Sequence, residues 1–70
     1  MNVRWIDTLM DLNERISAME ARLSAQASRI AAIRETGEDP ASAEEVFTGY
    51  RDGLDLLRGM RDALLIEGEG

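Results

Sequence analysis

The sequence predicts an all-α fold, an antiparallel two-helix hairpin that dimerises into a four-helix bundle. Three observations carry that expectation. Apolar residues recur at steps of three and four over positions 5–33, and a second apolar periodic run covers 46–65. Between them TGEDPAS, residues 36–42, holds both stop and start signals for helices. Residues 1–70 are read as a single helical-hairpin domain.

The first helix is expected over about 2–36. Leu9, Ile16, Leu23 and Ile30 occupy one heptad position (a), and Trp5, Leu12, Met19, Gln26 and Ile33 the other (d), which gives a narrow apolar seam. Alanines at 18, 21, 25, 27, 31 and 32 raise helix propensity, and no proline interrupts the run. Asn2 suits an N-cap, and Gly37 supplies the left-handed residue that commonly follows a helix end.

The turn is expected at 37–42. Pro40 suits a first helical turn, and Ser42 followed by Glu45 has the spacing of a capping box. A second helix then covers about 43–66, with a frayed tail at 67–70. Its apolar residues Val46, Phe47, Tyr50, Leu54, Leu57, Met60, Leu64 and Leu65 form a broader face than the first helix offers. A broad face contacts more than one neighbour.

Folding back at Asp39 and Pro40 sets Ile33 near Val46, Gln26 near Gly53, Leu23 near Leu57, Met19 near Met60 and Ile16 near Leu64. Gln26 is the one polar residue in the first seam. A buried polar residue can fix register and oligomer state at some expense in stability, so Gln26, facing the small residues Gly49 and Gly53, is the candidate for that role. Its expected partners are its own twin across a two-fold axis or the Tyr50 hydroxyl; the alternative is a glutamine at a partly solvated position with no register role. Each interior glycine costs roughly 1 kcal/mol relative to alanine, which either close packing of two backbones or the need for a helix that stays pliable until it meets a partner would account for. On the same register Trp5, Ile6, Leu9 and Met10 project beyond the second helix, and that apolar cluster is the candidate partner interface.

Charge refines the choice of partner. All eight basic residues are arginine against 14 acidic ones, for a net charge of -6, which opposes loose binding to nucleic acid or anionic lipid. Arg15, Arg22 and Arg29 nevertheless recur every seven residues as a ribbon along one flank of the first helix. A parallel zipper would set Arg15 against Glu20 but Arg29 against Arg34, which disfavours it. Asp52, Asp55 and Asp62 of the second helix are expected to line up beside the ribbon and select antiparallel order.

Size points the same way. A domain of 70 residues hides only about 60% of its unfolded surface, and chains this small usually add disulfides, a metal or a second copy. With no cysteine and no histidine, the first is impossible and the usual zinc ligands are missing. Oligomerisation remains.

The same inventory excludes most covalent catalysis, since neither a Ser/His/Asp nor a Cys/His system can be built and no lysine can form a Schiff base. Asp7, Asp11 and Glu14 lie on an outer face without a histidine companion, unlike the inward acids of di-iron bundles. No phosphate loop is present, because GEDPAS lacks the Gly-Lys-Ser/Thr ending. No enzyme, cofactor or metal site is expected. The segment MNVRWIDTLMDLNER has no uninterrupted apolar stretch and the longest apolar run is ALLI, so neither a secretory signal nor a spanning helix is expected, and the location expected is cytoplasmic.

The functional expectation is a protein-protein interaction module, an adaptor, small regulator or accessory subunit acting on itself or on another helical protein. The alternative is a small RNA- or DNA-binding regulator that uses Arg15, Arg22 and Arg29 on phosphates.

Overall fold

A computed structural model of the chain describes residues 3–69. It contains two helices, α1 (Val3–Glu35) and α2 (Ala41–Glu69), packed side by side as an antiparallel hairpin. The molecule measures 54 × 14 × 13 Å, with a radius of gyration of 16.1 Å, whereas a compact chain of this length would have one near 11 Å. It is a rod two helices wide.

α1 follows the expected heptad throughout. Trp5, Leu9, Leu12, Ile16, Met19, Leu23, Gln26, Ile30 and Ile33 are buried or half-buried, and every other described residue of the helix is exposed. Asn2, the expected N-cap, lies outside the described residues. The helix ends in a Schellman motif: Glu38 N–H donates to the Ile33 carbonyl at 3.3 Å and Gly37 N–H to the Arg34 carbonyl at 3.1 Å. Gly37 takes φ of 79° to make this possible. Thr36 Oγ1 donates to the Ile33 carbonyl at 2.7 Å and Thr36 N–H at 3.2 Å, so with Glu38 N–H that acceptor takes three donors at the exit.

α2 starts earlier than the capping-box spacing suggests. Ala41 N–H donates to Asp39 Oδ1 at 3.0 Å, which makes Asp39 the N-cap, with Pro40 at the first helical position and Ser42 already inside the helix. The helix also runs further than expected. It continues through Glu67 and Gly68 to Glu69, where a frayed tail was anticipated. The physical reason is Trp5, whose indole Nε1 donates to the Leu64 carbonyl at 2.8 Å and whose ring packs against Gly68. Tertiary contact holds a last turn that local sequence would leave loose.

The seam of α2 is made by Ala43, Phe47, Tyr50, Leu54, Leu57, Arg61, Leu64 and Gly68, each buried or half-buried. Val46, Met60 and Leu65, counted above on one broad face, point out of this seam and are exposed. Arg61 instead occupies a seam position: its stem lies along the apolar surface while its guanidinium donates to Asn13 Oδ1 at 3.2 Å.

The pairing of the helices differs from the expected register by about one heptad, a slip that returns each seam position to a seam position. Met19 lies against Gly53, with its methyl 3.6 Å from where a glycine Cβ would stand, rather than near Met60. A slip of that size leaves the apolar pattern intact, so periodicity alone cannot select against it. The tight Schellman exit and the Asp39 cap decide it by fixing where the chain reverses. Leu12, Ile16, Ile30, Ala43 and Leu54 form the buried core, and no side chain is fully sealed from solvent among the described residues.

Candidate functional site

Gln26 sits in the seam where an apolar residue is expected, and its Nε2 donates to the Ala43 carbonyl at 2.9 Å across the hairpin. The partner is therefore neither the Tyr50 hydroxyl nor a residue of the Gly49 and Gly53 stretch, because the register places Gln26 level with the first turns of α2. A carbonyl has two lone pairs, so Ala43 can accept this bond as well as its own helical one. A half-buried amide satisfied in this way ties α1 to α2 at one longitudinal position.

The glycines behave differently from one another. Around Gly49 and Gly59 an added Cβ would meet nothing within 4 Å, and at Gly53 it would meet only the Met19 methyl at ordinary contact distance. Close approach of α1 is not what requires them. Gly68 is the exception, since a Cβ there would overlap the Trp5 ring. Sequence reasoning passed over Gly68 because a glycine in an EGEG tail resembles a frayed end.

The candidate interface cluster divides. Trp5 and Leu9 are half-buried under the extended α2, so they do not project beyond it, whereas Ile6 (42% exposed) and Met10 (61%) remain open. Val3 and Leu65, also exposed, fall on the same side at the open end of the hairpin by heptad position. Those four side chains form an apolar patch opposite the turn.

Two flanks run along the seam, and they differ in kind. In an antiparallel pair each flank of one helix meets the like flank of the other. One flank is closed by polar contacts that cross between the helices: Arg58 to Glu20 at 3.0 Å, Arg34 to Glu44 at 3.4 Å and Arg61 to Asn13 at 3.2 Å. The other carries Arg15, Arg22 and Arg29 from α1 beside Val46, Gly53, Leu56 and Met60 from α2, with grooves lined by Arg22 and Gly53 and by Arg29 and Val46.

On this ribbon flank Arg15 pairs within its own helix, to Asp11 at 2.9 Å. The side chains of Arg22 and Arg29 make no ion pair or hydrogen bond among the described residues. Asp52, Asp55 and Asp62 do not line up beside the ribbon as expected, because their heptad positions turn them away from α1; Asp52 approaches only its neighbour Arg51, at 3.8 Å. The cross-helix ion pairs use Glu20 and Glu44 instead. Exposed pairs of this kind contribute about 0–1 kcal/mol each.

Among the described residues no group of acidic side chains is placed to hold a metal ion, and no helix is long and apolar enough to cross a membrane. A folded monomer of 7.8 kDa exposes about 4,400 Å²; this hairpin exposes 5191 Å². The excess, about 800 Å² over the compact value, accompanies the elongated shape of the rod. Comparison with protein-family models, with curated proteins and with solved structures gave no match for this chain.

Proposed function

We propose that this hairpin is a non-enzymatic interaction module that works by helical packing, and that its first partner is a second copy of itself. The observation that carries the reading is the surplus of exposed surface on a rod whose core consists of five side chains. A single core this small rarely contributes more than roughly 3–5 kcal/mol, so burying the open-end patch of Val3, Ile6, Met10 and Leu65 against another chain would add a stabilisation comparable with the fold's own.

Gln26 acts in this reading as a register device, first within the hairpin and through it on the geometry offered to the partner. Light scattering coupled to size exclusion tests the association: a helical species of twice the chain mass is expected at micromolar concentration, with a melting temperature that rises with protein concentration. A cooperatively melting species of single mass, unchanged by dilution, would remove the reading.

A further inference from the structure

From the contrast between the two flanks we infer that the ribbon flank is a docking site for an amphipathic helix of another protein, one that carries carboxylates about every seven residues beside an apolar stripe. The inference rests on the interaction-module reading and concerns a different surface from the open-end patch.

Cross-helix polar contacts satisfy the opposite flank at three levels, yet here Arg22 and Arg29 have no partner among the described residues and Arg15 is held only by Asp11. At seven residues apart on one helix, the guanidinium groups stand about 10.5 Å from one another along the axis. Acidic side chains at heptad spacing on an adjoining helix repeat at the same interval.

The surface beside the ribbon suits a helix. Val46, Leu56 and Met60 are exposed apolar side chains, at 44%, 67% and 50%. Ala18, Ala25 and Gly49, also exposed, are small residues that fall on the same flank by heptad position. A phosphate backbone would use the arginines but not this apolar strip, and the half-buried Phe47 and Tyr50 belong to the seam, where they are poorly placed to stack on bases.

Symmetry argues against a second copy on this flank. A two-fold axis lying across the helices would set one arginine ribbon against the other. An axis along the helices would set each ribbon against Val46, Gly53 and Met60, covering guanidinium groups with no acid opposite. Covering a charge without a partner is costly, and an acidic helix avoids both arrangements.

The test uses a fluorescently labelled synthetic helix with leucine and alanine along one stripe and glutamate every seven residues beside it, and a twin with glutamine at those positions. Fluorescence anisotropy with the full hairpin should show the glutamate helix binding about tenfold more tightly than its twin. That advantage should fade as salt rises, and be lost in Arg22→Gln/Arg29→Gln. Leu56→Ser/Met60→Ser should weaken both helices. The substituted residues are exposed, so unchanged helicity and melting temperature confirm intact hairpins. Equal binding of the two helices, or none, overturns the proposal. So would tighter binding of a single-stranded RNA oligomer, or a fall in oligomer mass on Leu56→Ser/Met60→Ser, which would assign the flank to nucleic acid or to a second copy. Failure of the peptide test alongside a stable dimer would leave the open-end reading standing, so the two are separable.

Discussion

Gly59 and Gly68 stand on the same helix and answer opposite demands. With open space around Gly59 and Gly49, replacing either by alanine should stabilise the hairpin by about 1 kcal/mol through helix propensity alone, read as a higher urea midpoint at constant slope. Gly68→Val should do the reverse. A branched side chain there must displace the Trp5 ring, breaking the bond to the Leu64 carbonyl, and the expected cost is about 1–3 kcal/mol, with tryptophan emission shifted to longer wavelength as the ring meets water. If emission stays unchanged, the Trp5 dock is not what holds the last turn of α2. Gln26 is a third kind of residue, polar where grease would fit. Gln26→Leu exchanges one neutral hydrogen bond, worth about 1 kcal/mol, for apolar burial. The melting temperature should therefore rise while the spread of oligomer sizes broadens. An unaltered size distribution would leave Gln26 as a satisfied amide with no register role.

At the scale of elements, the turn sets how α1 and α2 meet. Gly37 at φ of 79° and the two Schellman bonds stop α1, and Asp39 with Pro40 starts α2 after a connection over residues 36–40. Gly37→Ala should cost about 1–2 kcal/mol because a Cβ is strained in the left-handed region. Asp39→Ala should cost about 1 kcal/mol as a lost cap, whereas Ser42→Ala should be close to neutral; thermal melts of the three variants separate the two possible caps. A larger loss from Ser42→Ala than from Asp39→Ala would restore the capping box. The heptad of α1 was fully legible, since residues 5–33 bury the positions that the spacing names. That of α2 was not, because Val46, Met60 and Leu65 extend its apolar face beyond the seam while Arg61 and Gly68 lie within it. A pattern wider than one interface does not say which of its edges the first neighbour takes.

At the scale of the molecule, a 54 Å rod only two helices wide has no inner layer. Val3, Ile6, Met10, Val46, Leu56, Met60, Leu65 and Ile66 remain exposed on it. The open-end patch predicts that Ile6→Ser/Met10→Ser will lower the mass seen by light scattering toward that of one chain. Loss of concentration dependence in the melt should accompany it, while secondary structure remains because neither residue is buried in the hairpin. A dimer that persists in this variant would move the interface elsewhere on the rod. The ribbon flank predicts salt-sensitive binding of an acidic helix.

Residue spacing by itself determined the class of fold, the length and phase of α1, the place of the turn and the presence of an arginine ribbon, because each is written within a few residues of where it acts. Only the packed structure decided the register, the partner of Gln26, the ordering of residues 67–69 and the difference between a paired and an unpaired flank. Those depend on which residues of two distant segments come level, and a slip of one heptad leaves every local signal unchanged while altering all of them.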